Sequence, residues 1–184
     1  MVRGAPLLRA LTILAVAALA ACTQAPPPVV APPPVVAPAP TAPTLQETAS
    51  LVRIRKGARI LEVWSGPRRV LLVSGIQLGR DPIGPKRFEG DGRTPEGRYR
   101  IDWRNPHSAY HLSLHISYPD ASQTLAARAN GRSAGGMIMI HGQPNGYQGR
   151  VAGDWTDGCI AVSDAEIETL WNLVPDGSTL EILP

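Results

Sequence analysis

Apolar and polar residues alternate through Leu51–Arg55 and Ile60–Trp64, the spacing of strands with one buried face. Runs rich in β-branched and aromatic residues follow at Val70–Ser74, Arg98–Trp103, Tyr110–Ser117 and Met137–His141, and read as further strands. Gly57, Gly66-Pro67, Asp91-Gly92 and Pro119-Asp120 punctuate them as turns. A different period governs Ser163–Val174. Ser163 and Glu166 have capping-box spacing, and Ile167, Leu170, Trp171 and Val174 recur at i, i+3, i+4 and i+7. Pro175 and Asp176-Gly177 stop this helix, and Thr179–Leu183 returns as a closing strand. A weaker helical stretch covers Ser122–Ala129. The pattern predicts a mainly β domain with one or two helices, an α+β fold. Gly79–Gly97 stands apart as a long polar loop rich in glycine and proline, of a length that marks function or mobility.

The chain ahead of residue 45 follows other rules. Arg3 and Arg9 lead or interrupt a small, apolar run, Leu7–Ala21, too short for a comfortable membrane span and suited to a secretory signal. It ends in Leu19-Ala20-Ala21-Cys22, which resembles the lipobox of bacterial lipoproteins, so residues 1–21 are expected to be removed and Cys22 to carry lipid. That would leave the protein anchored to a membrane, on the periplasmic face of the envelope. Thr23, in place of an aspartate, points to the outer membrane. Pro-Pro-Pro-Val-Val-Ala then occurs twice, at 26–31 and 32–37. Proline at this density favours polyproline II, and residues 26–43 would extend about 55 Å as a semi-rigid tether. The expected organisation is a signal over 1–21, a lipidated cysteine and tether over 22–44, and one packed domain over 45–184.

Charge narrows the partners. The chain has 18 Lys+Arg against 15 Asp+Glu, and losing Arg3 and Arg9 with the signal lowers the formal net charge from +3 to +1. No basic stripe with interleaved aromatics is present, so nucleic acid is not an expected partner.

With Cys22 lipidated, Cys159 has no partner cysteine, and a leftover thiol in an exported domain is a candidate nucleophile. The apolar run 137–140 delivers His141 to a strand end, and Thr156-Asp157-Gly158-Cys159 leads into a second run, Ile160–Val162. Two adjacent strand ends would set an imidazole beside a thiol, the arrangement that activates it. Backbone amides near Gly158 and Cys159 are candidate oxyanion donors. One cysteine and one nearby histidine fall short of a zinc site, so no metal or other cofactor is expected. The competing reading of Cys159 is a small buried hydrophobe.

His141-Gly142, a loop, and Thr156-x-Gly158-Cys159 resemble the signature of the YkuD-type L,D-transpeptidases, His-to-Cys spacing included. Gly90–Gly97, GDGRTPEG, is similar to the turn those domains carry before a tyrosine-containing strand. PHSAYHLSLHISYP (106–119) and DWTDGCIAV (154–162) resemble the ErfK/YafK-like branch. The resemblance runs over residues 51–183. It implies a β-sandwich or barrel domain acting on peptidoglycan stem peptides, with Cys159 as nucleophile and His141 as base. Gly158 and Gly142 would give backbone support at the oxyanion, and Asp157, Trp155, Tyr147 and His115 are candidate substrate contacts. Asp157 stands where the family often has His, Gly142 where some branches have Ser or Thr, and Ala161 where Arg is common. With no side chain to orient His141, a backbone carbonyl is expected in that place. Three readings follow: a transpeptidase with a stem or protein amine as acceptor, a hydrolase using the same cysteine, and a non-catalytic tether between membrane and wall.

Overall fold

The computed structural model describes residues 48–184; the signal, Cys22 and the whole of the tether lie outside them. Alternation decides the first elements. Val52 and Ile54 of β1 (Leu51–Arg55), and Leu61 and Val63 of β2 (Ile60–Ser65), turn inward and are fully buried. β3 (Arg68–Ser74) extends this antiparallel pair into a meander. β4 (Gly97–Ser108) and β5 (His111–Ile116) form a long hairpin. Helix α1 (Ala121–Ala129), β6 (Met139–His141), β7 (Ile160–Ala161), helix α2 (Asp164–Leu173) and β8 (Thr179–Leu183) complete the chain.

All eight strands share one sheet, in the order β3-β2-β1-β8-β4-β5-β6-β7. β8 runs parallel to β1 on one side and antiparallel to β4 on the other. The segment leaving β3 crosses to the far edge, where Gln77 and Ala161 exchange backbone bonds of 2.9 and 2.8 Å. The two edges of the sheet are thereby linked and the apolar faces enclosed. α2 lies over β5 and β6. Its Ile167 and Leu170 are fully buried, each worth about 1.5–3 kcal/mol against exposure.

β1, β2, β8 and α2 fall where the pattern places them. β4 is longer than expected, running on through Pro106 to Ser108. Two register shifts against β5, between Ile101 and Arg104 and between Asn105 and Ser108, accommodate the proline and twist the hairpin. α1 begins one residue early because Asp120 and Gln123 close a capping box of their own.

The 79–97 loop has no regular structure, yet it is pinned. The buried Lys56 ammonium donates to the carbonyls of Gly84 (2.6 Å) and Thr94 (3.1 Å) and to Glu96 Oε1 (2.8 Å). Asp91 accepts from Lys86 Nζ (2.8 Å) and from the amides of Arg87, Phe88 and Arg93 (2.7–3.0 Å). Burial pushes the Asp91 carboxyl up, but the ammonium and three amides outweigh it and hold the group down to about 2.

Candidate active site

β6 is short because its work is local. Ile140 enters the core while Met139 and His141 face the other way, onto a cleft. β7 pairs with it in parallel, Ile140 to Ile160 and His141 to Ala161. Cys159, one residue before β7, therefore falls level with Met139 and on the face that carries His141. His141 and Cys159 line one cavity of about 220 Å³, together with Asn105, Ser108, Ala109, Tyr110, Ser113, Met137 and Met139. No charged side chain lines it.

The imidazole is fixed by its own chain. His141 Nδ1 lies 2.7 Å from the Gly142 carbonyl. A carbonyl only accepts, so Nδ1 carries the proton and the neutral ring keeps Nε2 as its basic nitrogen. The orienting group is thus backbone, in the place where a side chain was missing from the sequence. Tyr110 packs against the ring at 4.6 Å between centroids and Trp155 at 5.6 Å, leaving His141 only 3% exposed. Burial lowers the imidazole pKa, the Gly142 bond opposing it.

Gly142 has no room for a side chain. A Cβ there would stand 2.6 Å from Asp164 Oδ1 and 3.0 Å from the Tyr110 carbonyl. Asp164 in turn accepts from the Gln143 amide at 2.8 Å. Gln143, almost wholly buried, donates to the Val162 carbonyl (2.6 Å) and accepts from the Val151 amide (2.9 Å), so the residues after His141 are tied to β7 and to the loop between them.

The cysteine turn is built by Thr156. Its hydroxyl donates to the Cys159 carbonyl (2.8 Å) and accepts from the Gly158 amide (3.2 Å). Gly158 has φ +129° and presses on the Arg93 carbonyl, which a Cβ would meet at 2.5 Å. The GDGRTPEG turn and the TDGC turn are therefore one structure. Cys159 Sγ accepts from the Met139 amide (3.4 Å) and points its hydrogen toward the Met137 carbonyl (3.6 Å). Burial raises the thiol pKa, with Asp157 adding to it; the Met139 amide and the Lys86 ammonium act the other way. A raised thiol beside a lowered imidazole is a neutral pair at rest.

This arrangement corrects the expected oxyanion support. The Gly158 amide is spent on Thr156, and the Gly142 amide on the carbonyls of Tyr110 (3.0 Å) and Leu112 (3.3 Å). The Cys159 amide donates to no described residue and is the free donor next to the thiol. The other candidates divide. Trp155 packs on the His141 imidazole. Asp157 is exposed and turned to an ion pair with Arg80, facing neither His141 nor the cleft. Tyr147 is about half exposed and does not line the cavity. His115 lies on the cleft face of β5, bonded to Asp102 Oδ1 (2.6 Å) and stacked under Trp103 at 4.6 Å. Tyr110, Ser113, Asn105 and Thr156 were not among the candidates; only the strand register and the turn geometry bring them in. Among the described residues no group of three or more His, Cys, Asp or Glu is placed to hold a metal.

A curled sheet presenting a histidine and a cysteine on one face of two adjacent parallel strands matches a known domain. The chain belongs to the YkuD family of L,D-transpeptidase catalytic domains, whose model matches residues 49–182. Among curated proteins it is 32% identical over 95 residues to YafK of Escherichia coli (strain K12), covering 50% of this chain and 32% of YafK. Among solved structures it is similar to the helical cell shape determining protein Pgp2 from Campylobacter jejuni, at TM-score 0.60 and 28% identity over 73% of this chain and 47% of Pgp2. An L,D-transpeptidase from Mycobacterium smegmatis shares the fold at TM-score 0.50 and 12% identity, over 74% of this chain and 59% of its own. The chain thus spans about a third to somewhat over half the length of these relatives.

Proposed function

We propose that the protein is a cysteine-dependent acyltransferase that works on peptidoglycan stem peptides in the periplasm, held to a membrane through lipidated Cys22. The observation that carries this reading is the single cleft shared by Cys159 and a His141 whose Nδ1–H is committed to the Gly142 carbonyl. Because the pair rests neutral, Nε2 takes the thiol proton as sulfur attacks the carbonyl carbon of the scissile amide. The Cys159 amide donates to the oxygen as it becomes an oxyanion. Collapse breaks the C–N bond, and the imidazolium returns the proton to the departing amine, leaving a thioester. An acceptor amine, deprotonated by His141, or water then displaces sulfur and restores the thiol.

The test is mass spectrometry of tetrapeptide muropeptides incubated with the protein or with Cys159→Ala. Loss of the terminal residue together with dimer formation, in the wild type alone, establishes the transferase. Tripeptide without dimer makes water the acceptor. Unchanged stems that are nonetheless retained by both proteins would overturn catalysis in favour of a tether.

A further inference from the structure

Ser113 is 2% exposed, lines the cleft, and its hydroxyl makes no hydrogen bond to any described residue. The residue is largely enclosed but its hydroxyl opens onto the cleft, where it is free to donate to a ligand. Its neighbours are set by register. Ser113 on β5 stands opposite His141 on β6, and opposite Asn105 on β4. Partners in a sheet share a face, so Asn105, Ser113 and His141 form a row across three strands, and all three line the cavity. The Asn105 amide is oriented: Oδ1 accepts from the His107 amide at 2.9 Å, which leaves the Nδ2 hydrogens without an acceptor among the described residues. Two donors therefore sit beside the base, one and two strands away from it.

From these observations we infer that Asn105 and Ser113 form the subsite for the leaving residue of the stem, donating to its carboxyl oxygen. This rests on the acyl-transfer reading above. The departing nitrogen must lie at His141 Nε2 to receive its proton. In an amino acid the carboxyl oxygen is about 3.5 Å from the nitrogen, and one strand spacing is about 4.8 Å. A residue leaving from His141 therefore carries its carboxyl group over Ser113 and toward Asn105. No Lys or Arg is among the described residues that line this cavity, so the donors offered at this wall are neutral. Both a free terminal carboxylate and the carbonyl of a further peptide bond present such an oxygen.

The test compares Ser113→Ala and Asn105→Asp with the wild-type chain on three acyl donors of one stem: the tetrapeptide acid, its C-terminal carboxamide, and a simple alkyl thioester of the tripeptide that has no leaving residue. Ser113→Ala is expected to lower kcat/KM about tenfold on the acid and the carboxamide, while thioester turnover stays within twofold. Asn105→Asp keeps the bond to His107 and replaces the free NH2 by an anionic oxygen. A penalty at least tenfold larger on the acid than on the carboxamide assigns the subsite to a free carboxylate; equal losses on both assign it to a peptide carbonyl. The inference is overturned if both variants process the stems within twofold of wild type, or if thioester turnover falls in parallel with the stems. Wild-type protein inert toward every stem would instead remove the acyl-transfer reading. In that event, binding of tetrapeptide against tripeptide to Cys159→Ala, with and without Ser113→Ala, still reports on the subsite: equal affinities for the two peptides overturn it.

Discussion

Strands β1, β2 and β8 meet in unbroken ladders of five paired residues, whereas β6 contributes three residues and β7 two. In the first region backbone pairing and alternating apolar residues suffice. Its outer face carries ion pairs such as Arg53–Glu181 and Arg98–Glu181, each worth no more than about 1 kcal/mol. In the second region side chains hold the backbone. Gln143, Thr156, Asp164 and Asp91 each satisfy amides or carbonyls that no ladder reaches. If the proposed acyl transfer holds, stability resides in one region and reactivity in the other, and the two should be separable by mutation.

The largest effect expected is on chemistry alone. His141→Gln should cost on the order of 10³-fold or more in kcat while the thermal midpoint stays near wild type, since the core side chains are untouched. Parallel loss of stability, read by calorimetry, would break the separation. Leu61→Ala is the mirror test. It empties a fully buried site in the ladder region, at a cost of about 2–5 kcal/mol. Turnover measured well below the lowered midpoint should not change.

Acid probes the loop beneath the cysteine. The Asp91 carboxyl sits at about 2 when folded against an ordinary 3.8. The unfolded chain therefore binds the proton first, and this contribution, roughly 2 kcal/mol, is present above pH 3.8 and lost as pH falls toward 2. Asp91→Asn should flatten stability over that window in acid denaturation. For activity, kcat/KM should rise through an imidazole pKa below the ordinary 6.5 and fall only above 9.0, where the thiol ionises and no proton remains for the leaving amine. A rising limb at or above 6.5 would contradict the burial of His141. The smallest effect belongs to Asp157→Asn. The Arg80 pair is exposed, so stability should move by less than about 1 kcal/mol and kcat by less than about threefold.

Legibility in the sequence followed the same division. Alternation and capping spacing were enough for β1, β2, β8 and α2, because local pattern and global burial agree there. The Cys159 and His141 pair could be read as well, from an unpaired thiol and two short apolar runs. What escaped depended on contacts distant in sequence. β4 crosses Pro106 by bulges that no period reveals. Gly158 looked like an oxyanion donor until Thr156 was seen to occupy its amide. Ser113 and Asn105 read as ordinary strand residues, and only the register across β4, β5 and β6 sets them beside the base. Asp157 lies two residues from Cys159 in sequence, but its carboxylate is turned to Arg80.

The central place of β8 has a further consequence, for the order in which the chain can assemble. Leu51 pairs with Thr179, so the middle of the sheet is the contact between strands 128 residues apart. A polypeptide emerging N-terminus first can form the β1–β2–β3 meander and the β4–β5 hairpin early, but the two parts of the sheet join only when β8 arrives between them. The joining of the sheet is therefore postponed until the last strand of the domain has emerged.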